Sequence, residues 1–231
     1  MREDTLGDNT ISTVDRNSET PLIRIAVSNV VGMFNDRMLG ILSKSKTIDG
    51  THRLGLVGGG AFLYEDQKSL RELGAFDFEG NDARFKIPLA NLENFIDKET
   101  GYPKFLCEED VMREVREELA KELVFDQTKP VVDKDKVELL RPSYMGNYLL
   151  YEGESLDSIQ RGTNFRLINV FSLTGPEELI EEIKSSSVIY LITKKKLLNG
   201  YATGTAGNVE LKAFIKETYD HIKDRGYEIK D

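Results

Sequence analysis

The segment Arg113-Glu114-Val115-Arg116-Glu117-Glu118-Leu119-Ala120 constrains the fold more than any other. Val111, Val115, Leu119 and Leu123 recur every fourth residue, the spacing of one helical face. Glu114, Glu117 and Glu118 stand three and four apart. At about 100° per residue they span roughly 100° of the helix wheel. The spacing predicts a helix with one face on a core and another carrying a cluster of oxygen ligands. Mg²⁺ takes such carboxylate oxygens and completes its shell with water and substrate phosphates. A solvated surface helix fits the same pattern, because exposed like charges at i,i+4 cost only about 0.2–0.5 kcal/mol per pair. In a cleft, two carboxylates ~6 Å apart repel by about 3 kcal/mol at an effective dielectric of about 20, and a cation offsets this.

A second feature lies upstream. His52-Arg53-Leu54-Gly55-Leu56-Val57 is a mainly apolar run that ends in Gly58-Gly59-Gly60. Consecutive glycines after a strand let the backbone turn tightly and approach a ligand. Five residues, Gly60 to Tyr64, separate Gly59 from Glu65. With Arg113-Glu114-Val115-x-Glu117-Glu118-x-Ala120 downstream, the chain resembles the Nudix hydrolase family. That signature is a Gly, five residues, a Glu, seven residues, then Arg-Glu-apolar-x-Glu-Glu-x-Gly-apolar. Here the gap of seven is Asp66 to Met112, 47 residues; Ala120 stands for the Gly and Lys121 for the apolar residue. The Arg-Glu-x-x-Glu-Glu core is intact. The order of strands, glycine turn and acidic helix extends the resemblance over about Ile23 to Phe125.

The resemblance implies a mixed sheet flanked by helices, an α/β/α sandwich of the α+β class. It implies that Glu114, Glu117 and Glu118 ligate Mg²⁺ or Mn²⁺, with Glu117 and Glu118 the catalytic carboxylates. Arg113 would orient them. Gly58, Gly59 and Gly60 would bring backbone amides near substrate phosphates. The implied reaction is hydrolysis of a pyrophosphate bond in a nucleoside diphosphate linked to another group. The alternative is a catalytically inactive Nudix-fold module that senses a nucleotide or binds a protein. An unrelated α+β domain with a solvated acidic helix predicts instead that Gly59, Glu65 and Glu117 lie far apart. The general base stays open among the helix carboxylates and the downstream Glu152, Glu154, Glu177, Glu178, Glu181 and Glu182. Arg53, Arg84 and Lys86 are candidate phosphate contacts or plain surface charges.

The chain has 231 residues, enough for one sizeable domain over 21–231 with an insertion at about 66–107. Residues 1–20 are polar and charged and read as a mobile tail. The net charge of −9 argues against a partner bound through a broad basic face, such as duplex nucleic acid. It is compatible with a small nucleotide bridged by a metal, which inverts the local charge. Apolar runs fall far short of the ~20 residues that span a bilayer. The lone Cys107 and the lack of a hydrophobic signal core lead us to expect a cytoplasmic protein. His52, His221 and Cys107 form no zinc pattern. Association as a homodimer is left open.

Strands are expected at Ile23–Phe34, Met38–Leu42, Val137–Leu140, Tyr144–Tyr151, Phe165–Leu173 and Ser187–Ile192, with a turn at Asn35-Asp36-Arg37. A loop as long as the insertion is expected to fold. Lys68–Leu73 suits a helical turn, Gly74–Phe85 a hairpin, and Leu89–Ile96 a short helix before a Gly101-Tyr102-Pro103 break. Its functional reading is a lid or specificity element, and its plain reading is a surface or dimerisation decoration. Thr174 is expected to cap a helix running to about Lys184. Asn208–Arg225 reads as an amphipathic helix closed by Gly226. Thr203–Asn208 before it reads as an anion site at a helix terminus or as a simple loop and cap.

Overall fold

The computed structural model describes residues 21–46, 52–60, 67–79, 83–95, 108–120, 130–154, 163–204, 207–212 and 214–230. The 1–20 tail, Glu65, the Gly101-Tyr102-Pro103 break, Cys107, Lys121 and Leu123 lie outside the described residues.

The chain opens with β1 (Leu22–Phe34), in which Ile23, Ile25, Val27, Val30 and Val31 are all buried. Branched side chains suit a pleated surface that packs on both faces. Asn35, with φ 51°, turns the chain into β2 (Leu39–Lys46). Then comes β3 (His52–Gly60). The described part of the insertion is folded. It holds α1 (Gln67–Glu72), β4 (Arg84–Pro88) and a 3₁₀ helix (Leu89–Phe95). Phe76 and Lys86 exchange backbone hydrogen bonds in hairpin fashion. The acidic segment is α2 (Glu108–Leu119), followed by the single turn α3 (Lys134–Val137). After it come β5 (Arg141–Glu154), β6 (Thr163–Thr174), α4 (Glu177–Ser185) and β7 (Ile189–Leu191). The chain ends through α5 (Lys194–Asn199), β8 (Tyr201–Gly204), β9 (Gly207–Leu211) and α6 (Phe214–Asp224).

The strands form one mixed sheet in the order β5-β6-β1-β3-β2-β7. β1 runs parallel to β6 along nearly its whole length. Its other edge is shared. Leu22–Ala26 pair with β4 and Ser28–Val31 pair with β3, both antiparallel. β3 is shared in the same way. It has β2 on one edge, and on the other it meets β9 at Arg53–Leu54 and β1 at Val57–Gly60. β1 and β9 therefore diverge from one edge of β3, leaving a fork at Gly55 and Leu56.

Helices cover both faces. Gly59 and its register partner Asn29 point to the face where α2 packs, since a Cβ at Gly59 would meet Glu114. Val30, Ile168 and Val170 point the other way, toward α6. There Tyr148 Oη hydrogen-bonds Thr218 at 2.7 Å. The architecture is α+β, a mixed sheet with helices. Val111, Val115 and Leu119 are fully buried, as the stripe predicts. A smaller core under the insertion joins Leu70, Phe85 and Ile87 to Ile23, Ile25 and Leu167. Among the described residues, no helix is long and apolar enough to cross a membrane.

Four local expectations fail. Val137–Leu140 is not a strand. Val137 donates to the Asp133 carbonyl at 3.2 Å and closes a helical turn, and Val137 and Leu140, three apart, are both buried. Four apolar residues are too few to distinguish the two periods. Thr174 does not cap α4, because it pairs with Arg141 at the end of β6. Pro176 takes that position, and its carbonyl accepts from Leu179 and Ile180. Asn208–Arg225 is not one helix. Its first part is β9, paired with β3 and β8, and helix begins at Phe214. Thr203, Gly204, Gly207 and Asn208 therefore belong to the paired ends of β8 and β9, with Gly204 opposite Gly207, and form no helix terminus. Gly226 does close α6. At φ 82° it donates to Lys223, while Tyr227 donates to Ile222.

Candidate functional site

The glycine run and the acidic helix meet. Gly58 N donates to Glu118 Oε2 at 2.8 Å, across 60 positions of sequence. Arg113 Nη2 donates to the Gly60 carbonyl at 3.2 Å. The Glu114 carboxyl lies on the bare backbone of Gly59, where an added Cβ would stand 2.8 Å from its Cδ. Each of the three glycines thus touches a different residue of the acidic motif.

The turn needs glycine for two reasons. Gly58 has φ 133°, a region L side chains rarely adopt, and a Cβ there would strike the Asn29 carbonyl. Gly59 leaves the gap that Glu114 fills. Below this turn the α2 face meets a polar row across the sheet. Asn29, opposite Gly59, accepts from Asn169 Nδ2 at 2.9 Å. Both asparagines are fully buried.

Electrostatics around the helix end are unusual. Glu114, Glu117 and Glu118 occupy the C-terminal half of α2, where the helix dipole is negative and disfavours anions. Arg113 is the local counter-charge. It pairs with Glu114 and lies 3.5 Å from Glu117. Glu114 is 13 % exposed and Glu117 39 %, so the first is held in protein and the second reaches solvent. The last helical carbonyl, that of Leu119, accepts from Val132 N at 3.1 Å and anchors the helix end to the chain before α3.

The donor set suits a hard divalent cation: three carboxylates, no nitrogen or sulfur, on one side of a helix against an amide-lined turn. The side chains as they stand already have protein partners, and among the described residues no three acidic, histidine or cysteine groups converge on a common point. A carboxylate has about four lone-pair sites, so one hydrogen bond does not exclude ligation.

A cavity of about 340 Å³ opens in the fork between β1 and β9. Its floor is the turn Gly58–Gly60 and its wall carries Glu118. Two cations also line it, Arg166 of β6 and Lys212 just before α6. Arg166 Nη1 lies 3.5 Å from Ser28 Oγ. Burial is the largest influence on Lys212 and holds its ammonium below the usual lysine range, with Glu118 acting in the opposite sense. The sequence reading missed both. Arg166 had a signal, since it stands in register with the apolar Ile168 and Val170 of FRLINVFSL. Lys212 had none, because it sits in a segment expected to be helix.

The other candidates lie elsewhere. Arg53 pairs with Glu210 at 3.0 Å, both about half exposed, and does not line the cavity. Arg84 and Lys86 belong to the insertion, where they face Glu79 and Asp77. Glu177 and Glu181 pair with Arg37, and Glu182 with Lys136. The side chains of Glu152 and Glu154 lie outside the described residues.

The fold and site define an α+β protein with a carboxylate-bearing helix docked on a glycine turn. No family model, curated protein or solved structure matches the chain.

Proposed function

We propose that this protein is a Mg²⁺- or Mn²⁺-dependent hydrolase of the Nudix type, acting on a pyrophosphate bond in a nucleoside diphosphate linked to another group. One observation carries the reading: Glu118 accepts from Gly58 although 60 positions separate them. A solvated acidic helix far from the glycine turn predicts no such contact. Helices on both sheet faces fit the α/β/α arrangement of that family.

Glu114, Glu117 and Glu118 would hold the cation, which neutralises phosphate charge and polarises the phosphorus centre. The Gly58 amide fixes one oxygen of Glu118, so that carboxylate keeps one orientation. Arg113 ties Glu114 to the Gly60 carbonyl and sets the helix against the turn. Glu117, the more exposed of the two Arg113 partners, takes the proton of the attacking water. Catalysis is then mainly positioning and electrostatics, as phosphoryl transfer requires.

The hydrogen bonds already made by the carboxylates favour a second reading, a module that binds a nucleotide without turning it over. One assay separates them. The protein is incubated with Mg²⁺ or Mn²⁺ and ADP-ribose, NAD, dinucleoside polyphosphates or nucleoside triphosphates. Turnover that falls by about 100-fold or more in Glu117→Gln and Glu118→Gln supports the hydrolase. Unchanged turnover in both variants removes the site. Metal-dependent binding with no turnover supports the module.

A further inference from the structure

The fork cavity is more than an extension of the carboxylate cluster. Its charged lining is Arg166, Lys212 and Glu118, which sets two cations close together in a chain whose net charge is −9. Glu118 also has one oxygen committed to the Gly58 amide. The Lys212 stem lies over Gly55, where a Cβ would sit 3.6 Å from its Cδ, so backbone supports the side chain along its length. Long basic side chains use such apolar support to present the ammonium at one place. Arg166 is braced beside the buried Ser28. Two cations held in a recess repel each other and lose hydration, and an anion between them offsets both effects. The remaining wall is apolar, with Val30, Leu56, Ile168 and Phe214 facing the space. At about 340 Å³ the cavity is at the lower end of the ~300–1,000 Å³ usual for small-molecule sites.

We propose that Arg166 and Lys212 form a phosphate subsite in this cavity, taking a phosphomonoester attached to an apolar or aromatic body, with Phe214 against that body. The subsite deepens the hydrolase reading by holding, beside Glu118, the nucleoside monophosphate that cleavage of the pyrophosphate bond releases. It rests on that reading only for the reaction it serves, because binding here needs no metal. The guanidinium supplies a planar pair of donors and the ammonium a point charge, a combination suited to phosphate oxygens.

Calorimetry on the full chain in EDTA tests this, with AMP and adenosine as probes and inorganic phosphate as competitor. AMP is expected to bind at least 10-fold more tightly than adenosine, and phosphate to weaken AMP binding. Arg166→Gln and Lys212→Gln should each weaken AMP by about 10-fold or more while leaving adenosine unchanged. Arg166→Lys and Lys212→Arg, which keep the charge, should recover part of the loss. Near-UV circular dichroism identifies a variant that has failed to fold, and for such a variant the AMP-to-adenosine ratio of the wild type decides. Equal binding of AMP and adenosine, or no AMP binding, overturns the subsite. No turnover of any compound by the wild-type chain in the metal assay, with AMP binding intact, would overturn the hydrolase reading alone.

Discussion

Leu22–Ala26 and Ser28–Val31 belong to one strand, share β6 as a neighbour, and serve different ends. The first half pairs with β4 and buries Ile23 and Ile25 against Phe85, Ile87 and Leu70. That region is a small apolar core. The second half pairs with the glycine end of β3 and carries the buried Asn29 and Ser28. There the sheet is forked, polar and open to a cavity. A strand contributes packing where its neighbour supplies side chains. It contributes a site where its neighbour supplies bare backbone.

Four measurements bear on this contrast. The largest effect is expected from Phe85→Ala, about 3–5 kcal/mol of stability lost in urea denaturation, since a fully buried ring leaves a cavity. Because β1 is common to both halves, unfolding should remain a single transition. An early separate transition would show that the insertion core is an independent unit.

Next come the two glycines of the turn. Gly58→Ala should lose about 3 kcal/mol, because a positive φ and a backbone carbonyl both oppose the Cβ. Gly59→Ala should lose less than about 1 kcal/mol, since the obstacle is the movable end of Glu114. It should instead reduce turnover by displacing that carboxylate. Equal stability losses in the two variants would break the distinction between a strained position and a close approach.

A smaller effect concerns α6, which covers the open half. Burial, assisted by the nearby Arg225, holds His221 below the ordinary histidine range. The unfolded chain then binds the proton more readily than the folded one. This contribution is fully present above about pH 6.5 and is lost as pH falls from there through the lower folded value. The melting temperature should drop between pH 7.5 and 5.5, and less so in His221→Gln. An identical drop in both would reassign the pH dependence to other groups.

The smallest effect is expected from Arg116→Ala. Its bonds to Glu138 at 2.6 and 2.9 Å are exposed, so less than about 1 kcal/mol should be lost, with turnover unchanged. A larger loss would extend the site along α2 beyond the residues that face the turn.

Much of the fold was legible in the chain. The β1 run and the buried stripe Val111-Val115-Leu119 follow from apolar period, because burial of one face is a local pattern, and the Asn35–Arg37 turn follows from its residue types. The candidate site was half legible. Glu114, Glu117, Glu118 and the glycine run stood out by residue type. Val137 was misread because four apolar residues do not distinguish the two periods, while Thr174 and Val209 take their state from a partner: a strand end against Arg141, and pairing of β9 with β3. Arg166 and Lys212 escaped for a related reason. A cation on a strand and a cation before a helix gain meaning only when β1 and β9 separate along one edge of β3. The sequence by itself determined which residue types were available and which faces they would occupy. The tertiary structure alone decided that Gly58 meets Glu118 and that two distant cations share one cavity. Contacts between residues far apart in the chain depend on strand order and register, which a local period does not encode.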